Sequence, residues 1–281
     1  MSGPTILVYL HDERTAKQVV EIAKELVRKN RGRLIGVYAG AQLVVYPPAG
    51  IHLPAVVYDD WFKQEKDKGD ALGRLFHAAT DGETFDAEWR YLPAGGRPVA
   101  EVVMPLARSC EMVVTGLYEA TSGKDPFADV AETLAMESGR PVLMVPEGGQ
   151  SRGALLEQVM VAWDGSRESA RATFDALPLL VDAAAVQVVC VEEASDRETV
   201  GDLPTGDIAT TLAHRGVVCT ADQVERKGRS IGETLIGRTD ETGATMLVMG
   251  IYGHAKWREV VFGGATRHAL THARCPILVS R

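Results

Sequence analysis

Short apolar runs alternate with longer amphipathic stretches along the whole chain, in the same order in both halves. Runs such as VVCV and MLVM in the second half are apolar at every position, which is typical of strands covered on both faces of a sheet. Strands that alternate with helices predict βαβ units and a mostly parallel sheet. The runs predict strands at 5–10, 33–38, 85–91, 112–115 and 141–145, and then at 158–163, 186–191, 217–224, 245–249 and 276–280.

The stretches between the apolar runs carry helix signals. Ser230 followed by Glu233 forms a capping box, and Gly243 marks the end of the same helix. Segment 39–57 is instead rich in proline, which predicts a loop. The remaining stretches predict helices at 13–30, 58–79, 97–109 and 129–138, and then at 166–181, 205–215, 230–241 and 263–273.

The two halves of the chain also resemble each other in sequence. EMVVTG in the first half resembles TMLVMG in the second, and RPVLMVP resembles CPILVS. The copies are 134 residues apart at Gly116 and Gly250 but 154 apart near their starts, so the first copy is longer in its middle. We therefore predict an N-terminal domain at 1–147 and a C-terminal domain at 155–281.

Charge and composition narrow the classes of function. The net charge is -8, with 30 basic and 38 acidic residues spread over both halves, so we do not expect a nucleic-acid binder. No apolar run approaches the ~18 residues that span a bilayer, and the N-terminus lacks a signal-peptide pattern, so we expect no membrane association. Four scattered cysteines without a CxxC motif are typical of a reduced, cytoplasmic protein.

Three strand-to-helix turns of the second copy are candidates for chemistry, because ligands of open α/β sheets bind outside the carboxyl ends of the strands. The first turn contains Asp164, and the second follows Val191. The third has a Gly-x2-Gly-x9-Gly spacing made by Gly250, Gly253 and Gly263. Such glycines allow positive φ and a close approach of the backbone to a ligand, although turns and tight helix packing use glycine as well.

The helix that follows Gly263 offers an anion site at its start. Gly264 and Ala265 would present free backbone N–H groups that attract phosphate, and Thr266 adds a hydroxyl. Asp164 has two interpretations, a carboxylate beside a nucleoside or a phosphate-bound metal, and an ordinary helix cap. We predict no zinc site of the HxxxH or HExxH type, no hydrolase triad with a GxSxG elbow and no P-loop with a Walker A sequence.

Together these features resemble the universal stress protein (UspA) family. The resemblance rests on VAWDGS around Asp164, on VMG at the end of the fourth strand, on the glycine spacing and on PILV in the last strand. The whole chain resembles the tandem two-domain form of the family. This resemblance implies that each domain has a five-stranded parallel sheet of order 3-2-1-4-5 with helices on both faces. That order would place the ends of strands one and four side by side.

The resemblance also implies a ligand, ATP or a related adenine nucleotide, with or without Mg²⁺. ATP-binding members hold ribose and phosphates in the glycine loop, and the strand-one Asp and a strand-two Val flank the nucleoside. The family has Ser or Thr directly after the third glycine, where this chain has Gly264 and so lacks one phosphate-binding hydroxyl. The implied nucleotide-binding residues are Ala162, Asp164, Val191, Met249, Gly250, Gly253, Gly263, Gly264, Ala265 and Thr266.

The first copy departs further from the family motif. Gly116 is kept, but Glu119 stands at the second glycine position, and Ala128 and Asp129 replace the glycine pair before the last helix. A carboxylate at a phosphate site repels the ligand, so we expect no ATP in the first copy. Its Pro-rich loop either covers a pocket or a partner, or is an ordinary packed loop.

Three functions follow as hypotheses. The first is a stress-response regulatory protein whose C-terminal domain binds ATP, with at most slow hydrolysis. The alternative is a nucleotide-independent interaction module with a non-nucleotide ligand or partner at the N-terminal domain. The third, an adenylyl-transferring enzyme of the same topology, lacks a nucleophile or a Ser/Gly-rich loop to support it. Apolar last strands at sheet edges also predict that the two domains pair with each other, and a homodimer is a further option.

Overall fold

The computed structural model describes residues 3–41, 55–117, 127, 129–148, 153–192, 204–251 and 264–281. These residues belong to two compact units, Met1–Ser138 and Gly139–Arg281. The division assigns segment 142–145 to the second unit, whereas the sequence pattern counts it with the first copy. The domain limits 1–147 and 155–281 stay a prediction. Each unit alternates strands with helices, so the α/β fold class that the apolar pattern predicts is confirmed.

The first unit contains a parallel sheet. Strand β1 pairs in parallel with β2 and β4, and β2 pairs with β3, which gives the order β3-β2-β1-β4. The strands of this unit are β1 (Thr5–Tyr9), β2 (Arg33–Gly40), β3 (Asp86–Pro93) and β4 (Met112–Gly116). The helices are α1 (Glu13–Asn30), α2 (Ala55–Thr80), α3 (Val99–Arg108) and α4 (Val130–Glu137).

The second unit repeats this arrangement and adds an antiparallel strand. The strands are β5 (Val142–Val145), β6 (Gln158–Ala162), β7 (Ala185–Glu192), β8 (Cys219–Glu225), β9 (Met246–Gly250) and β10 (Ile277–Ser280). The helices are α5 (Arg167–Asp175), α6 (Leu177–Asp182), α7 (Pro204–His214), α8 (Ile231–Thr242) and α9 (Gly264–His272). Parallel pairing gives β8-β7-β6-β9-β10, and β5 pairs antiparallel with β10. The five strands of the second copy therefore follow the order 3-2-1-4-5.

The central strands are apolar because helices cover both of their faces. Every residue of β4 is buried, as are the first four residues of β9. Strands β3 and β8, which each have one strand neighbour, consist of half-buried and exposed residues. None of the helices in the described ranges is long and apolar enough to cross a membrane.

The polar residues before three helices act as caps. Asp12 accepts a hydrogen bond from the backbone of α1, and Ser166 does the same for α5. The capping box of Ser230 and Glu233 at the start of α8 is confirmed. Ser230 also lies in GRSIG, which has the GxSxG spacing, so the prediction that this spacing is absent is wrong. Because β8 ends five residues earlier and the Ser230 hydroxyl caps the helix, capping accounts for this serine.

The single helix predicted at 166–181 is wrong in one respect, because two helices occupy this segment. Helix α5 ends at Asp175, and α6 begins at Leu177 after Ala176. Pro178 explains the interruption, since proline lacks an N–H and clashes with the carbonyl one turn earlier, yet it fits the first turn of a new helix.

Candidate functional site

The first and fourth strands of the second copy end side by side. Strand β6 lies between β7 and β9, and Val161 on β6 is level with Val248 on β9. Ala162 and Met249 follow one residue later on these strands, and Val191 lies near the end of β7. Met249 is buried, whereas Ala162 and Val191 are half-buried. Three predicted pocket-lining residues therefore lie at the carboxyl ends of adjacent strands.

Asp164 occupies the turn between β6 and α5. Its Oδ1 accepts a hydrogen bond from the backbone N–H of Ser166 at 2.9 Å, and Gly165 between them has a φ of 73°. The side chain of Ser166, rather than that of Asp164, caps α5 by accepting from Ser169 N at 3.1 Å. Asp164 therefore shapes the turn and does not cap the helix, and its exposed carboxylate stands at the end of the sheet.

Gly250 is required for a different reason from the one predicted. Ten glycines of the described residues have positive φ, and Gly250 is not one of them. A Cβ at this position would lie 2.6 Å from the carbonyl carbon of Glu168 and 2.7 Å from the nitrogen of Ser169. The absence of a side chain lets the first turn of α5 approach the end of β9. The prediction of a positive φ at Gly250 is therefore wrong. The close approach that this glycine permits is to the backbone of α5.

Helix α9 begins at Gly264, which is exposed, while Ala265 is half-buried and Thr266 is buried. A Cβ at Gly264 would meet no atom of the described residues within 4 Å, so packing against them does not require glycine there. No acidic residue lies in the first turn of α9, so its N–H groups and the positive end of the helix dipole face no local negative charge from that turn.

Packing against α8 fixes the position of α9. A Cβ at Gly232 would lie 2.6 Å from the Cβ of His268 and 3.1 Å from the Cα of Ala265. The two helices therefore approach as closely as backbone and Cβ atoms allow. The predicted site residues Gly253 and Gly263 lie outside the described residues, as does the rest of segment 252–263.

Backbone hydrogen bonds identify the equivalent positions in the first unit. Leu10 N donates to the carbonyl oxygen of Val37, as Trp163 N does to that of Val189. Leu10 is thus equivalent to Trp163. It follows that Tyr9 stands where the second unit has Ala162, and that His11 stands where it has Asp164.

These replacements fill the end of the first sheet with protein atoms. Tyr9 is 1% exposed and His11 is 2% exposed, and their rings are 6.1 Å apart. Gly116 packs against the same group, since a Cβ there would lie 2.5 Å from Thr15 Oγ1 and 2.9 Å from His11 Cε1. The sequence pattern did not predict that large side chains would occupy this strand end.

Asp12 anchors this filled region. Its carboxylate accepts from the backbone N–H of Thr15 at 3.0 Å and lies 3.4 Å from His11 Nε2. Burial raises the pKa of Asp12, but hydrogen bonds from the His11 side chain and the Thr15 backbone outweigh burial and hold the pKa well below its usual range. The acidic group of this turn therefore serves the structure of α1.

An aromatic and acidic cluster occupies the end of β2. Glu65 on α2 is 7% exposed and accepts from the Tyr38 hydroxyl at 2.8 Å and from Ala41 N at 2.7 Å. Burial, together with the charge of Glu65, raises the pKa of Tyr38. The Lys68 ammonium lies 4.7 Å from the centre of the Phe127 ring. These contacts complete a region in which side chains pack on one another.

Both ends of the Pro-rich loop predicted at 39–57 belong to regular elements, because β2 runs to Gly40 and α2 begins at Ala55. Trp61 belongs to helix α2 and donates from Nε1 to the carbonyl oxygen of Ala41 at 2.8 Å. Tyr58 lies on the same helix. The proline positions Pro47 and Pro48 lie outside the described residues. No role as a cover or a partner site is tested for this segment.

Two features of the second unit were missed in the sequence. The Nε1 of Trp163 is buried and finds no hydrogen-bond partner in the part of the chain that the structure describes, which no sequence signal reveals. His268 and His272 form an HxxxH spacing that could have been found. Within the described ranges, no group of three or more His, Cys, Asp or Glu residues could hold a metal ion.

A family sequence profile matches most of the second unit. The sequence profile described as "Universal stress protein family" matches residues 156–281. No match was found among curated protein sequences.

Solved structures share the fold over a wider range. A universal stress protein from Archaeoglobus fulgidus DSM 4304 is 14% identical, with a TM-score of 0.70 over 99% of this chain and 96% of that one. A functionally unknown protein from Pseudomonas aeruginosa PAO1 is 12% identical, with a TM-score of 0.60 over 99% and 92% of the two chains. A universal stress protein in complex with cAMP is 19% identical over 52% of this chain and 99% of that one, with a TM-score of 0.36. Residues 156–281 are therefore similar in sequence to the universal stress protein family, and the chain as a whole is similar in fold to a universal stress protein of comparable length.

Proposed function

We propose that the second unit binds ATP or a related adenine nucleotide at the carboxyl ends of β6 and β9, and that the protein serves stress adaptation by binding rather than by catalysis. The observation that carries this proposal is the contrast at equivalent strand ends. The second unit has the small Ala162 and an exposed Asp164 where the first has the buried Tyr9 and His11. Small side chains at a strand end leave room for a ligand at the usual site of α/β sheets.

Each described site residue has a part in the proposed complex. The apolar side chains of Ala162, Val191 and Met249 would line the surface on which the base packs. The Asp164 carboxylate accepts hydrogen bonds, so it suits the ribose hydroxyls. The N-terminus of α9, which starts with Gly264, offers N–H donors and a positive dipole end to the phosphates.

The undescribed glycines remain part of the proposal. Gly253 and Gly263 would bring the backbone close to ribose and phosphate, as the family motif implies. Any Mg²⁺ would arrive on the phosphate oxygens of ATP, with Asp164 as a candidate carboxylate ligand. Hydrolysis, where it occurs, is expected to be slow because no catalytic group has been identified.

Location and assembly are further parts of the proposal. We place the protein in the cytoplasm, which the four free cysteines support. Pairing between the two copies also remains a proposal, and the antiparallel pair of β5 and β10 is compatible with it. A homodimer is the alternative form of assembly within the same proposal.

A second candidate function has specific support. Close packing of α5 explains Gly250 without a ligand, and Gly264 lacks the hydroxyl that nucleotide-binding members carry. Both facts favour a nucleotide-independent interaction module whose glycines are structural. In that case the ligand or partner would bind elsewhere, and ATP would have no effect on the protein.

Two experiments on the full chain separate these functions. The purified protein is first denatured, and the small molecules released are identified by mass spectrometry. Mg-ATP is then titrated into the nucleotide-free protein and into three variants of one open position, Gly264→Ser, Gly264→Ala and Gly264→Glu. Because a Cβ at Gly264 meets no atom of the described residues within 4 Å, all three variants should fold.

The nucleotide site predicts an ordered series. Gly264→Ser restores a hydroxyl and should tighten Mg-ATP binding about 2- to 10-fold, the effect of one hydrogen bond. Gly264→Ala is the matched control and should bind like the unchanged protein. Gly264→Glu places a carboxylate at the phosphates and should weaken binding at least about tenfold. No binding by the unchanged protein at millimolar Mg-ATP, with no nucleotide released, would overturn the proposal.

A further inference from the structure

Helix α9 carries two histidines on one face. His268 and His272 are four residues apart, which places them one turn apart on the same side of the helix. Their ring centroids are 4.1 Å apart, and the ring planes differ by 13°. His272 is exposed and His268 is half-buried, so both rings are open to solvent to some degree.

The backbone holds the His272 ring in a defined orientation. Its Nδ1 lies 3.0 Å from the carbonyl oxygen of His268. A carbonyl only accepts hydrogen bonds, so Nδ1 carries the proton, and the lone pair of the neutral ring lies on Nε2. Metal-binding histidines in proteins have this arrangement, because the hydrogen bond of one ring nitrogen fixes the other as a ligand.

Helix α8 holds His268 in place. Gly232 on α8 packs so closely that a Cβ there would lie 2.6 Å from the His268 Cβ. Glu233 follows on the same helix. Its carboxylate accepts a hydrogen bond from the Ser230 backbone N–H at 2.7 Å, so an acidic residue lies on the helix that packs against α9.

From this geometry we propose that His268 and His272 form a two-histidine site for a divalent transition-metal ion of the Zn²⁺, Ni²⁺ or Cu²⁺ class. Imidazole nitrogen suits these ions, whereas Mg²⁺ and Ca²⁺ prefer oxygen ligands. Zinc bonds histidine nitrogen at about 2.0–2.1 Å, so two such ligands at a tetrahedral angle stand roughly 3.4 Å apart. The 4.1 Å between ring centroids brings both side chains within reach of one ion, but the nearly parallel rings hold their in-plane lone pairs side by side, so metal binding requires the His268 ring to turn toward Nε2 of His272.

The site differs from a structural metal centre. Since no group of three candidate ligand residues occurs among the described residues, His268 and His272 supply two ligands and water fills the other positions. The bound metal would therefore exchange with solution and would not be needed for folding. The predicted absence of a metal site rested on the absence of both HxxxH and HExxH, and the first of these is wrong because His268 and His272 form an HxxxH spacing.

Metal titration of the full chain tests this inference. Protein treated with EDTA and freed of nucleotide is titrated with Zn²⁺ by calorimetry, and with Cu²⁺ by visible absorption. Nucleotide is left out because ATP itself chelates metal. The variants are His272→Gln, His268→Gln and the control His214→Gln, which changes an exposed histidine in the last turn of another helix, α7.

The two-histidine site predicts Zn²⁺ and Cu²⁺ binding that falls at least about tenfold in each of the two α9 variants, as expected when a chelating ligand is lost. The His214→Gln control should bind like the unchanged protein, and Mg²⁺ should not compete. Circular dichroism checks that the variants are folded. Equal affinity in the α9 variants and the unchanged protein, or no binding of Zn²⁺ and Cu²⁺ up to millimolar concentration, would overturn the proposal.

Discussion

The carboxyl end of the first strand carries different side chains in the two copies. In the first unit, the end of β1 holds Tyr9 and His11, which are almost fully buried and pack against each other. In the second unit, the equivalent end of β6 holds Ala162 and Asp164, which are half-buried and exposed. One topology therefore supports a packed strand end in one copy and an accessible one in the other.

The glycines that end the fourth strands show the same difference. Gly116 lies against the side chains of Thr15 and His11, whereas Gly250 lies against the backbone of α5 at Glu168 and Ser169. Side chains adjust more readily than backbone. The glycine at the end of the fourth strand is thus present in both copies but makes different contacts in each. A glycine motif alone therefore does not identify a ligand site.

The largest expected effect is on the packed strand end. Tyr9→Ala should lower the free energy of unfolding by about 3–5 kcal/mol, because it removes a buried aromatic ring and leaves a cavity. Tyr9→Phe keeps the ring and should cost clearly less. Urea denaturation measures both variants. If the two substitutions cost the same, the ring does not fill the first unit as described.

The second largest effect on stability is expected at Gly116 and Gly250, which end the fourth strands. Gly250→Ala should lower the free energy of unfolding by about 3 kcal/mol, since the new Cβ would clash with α5 backbone. Gly116→Ala should cost about 1 kcal/mol, because the side chains of Thr15 and His11 can move. Chemical denaturation of both variants tests the order. The reverse order would contradict the assignment of backbone and side-chain contacts.

An exchange between the units tests the accessible strand end. Ala162→Tyr introduces the residue of the first unit and should reduce the affinity for Mg-ATP about 100-fold, because its ring would occupy the proposed base surface. Ala162→Ser is the matched control and should retain binding. Calorimetry gives both affinities, and an unchanged affinity in Ala162→Tyr would exclude a nucleotide at this strand end.

The smallest effect is expected at the two aspartates that follow the first strands, Asp12 and Asp164. Asp12→Ala should lower the free energy of unfolding by about 1 kcal/mol at pH 7, because Asp12 caps α1. Asp164→Ala should lower it by less than about 0.5 kcal/mol, because Asp164 is exposed and caps no helix. The pKa of Asp12 is lowered in the folded protein, so its stabilising contribution is present above the ordinary carboxyl pKa of about 4 and is lost as pH falls below it.

Denaturation curves at pH 7 and at pH 3 check this prediction. The difference between the unchanged protein and Asp12→Ala should shrink at the lower pH. The difference for Asp164→Ala should stay small at both. A constant cost for Asp12→Ala across this range would contradict the role given to its charge.

Much of the fold could be predicted from the sequence. Each buried strand is an apolar run, and the capping box of Ser230 and Glu233 marks the start of α8. The order of strands and helices could therefore be predicted from the sequence. The break between α5 and α6 was not predicted. Pro178 lies in the first turn of α6, where proline is tolerated, so its presence is compatible with helix on both sides. Local rules locate elements well but do not decide whether two short helices or one long helix occupy a segment.

The site was predicted less completely. Its place at the strand ends follows from topology, and Asp164 and Gly250 lie there. The contact of Gly250 with α5 could not be predicted, because it depends on how closely a helix approaches the sheet. The HxxxH spacing of His268 and His272 was visible, but the orientation of the rings was not. Distances between elements, unlike patterns along the chain, require the structure.

The most direct test of the difference between the units is the stoichiometry of Mg-ATP binding to the full chain, measured by isothermal titration calorimetry. One nucleotide per chain is expected, with binding lost in Ala162→Tyr and retained in Asp12→Ala, which alters the first unit only. Two nucleotides per chain would contradict the account of a packed first unit. No nucleotide at all would contradict the account of an accessible second unit.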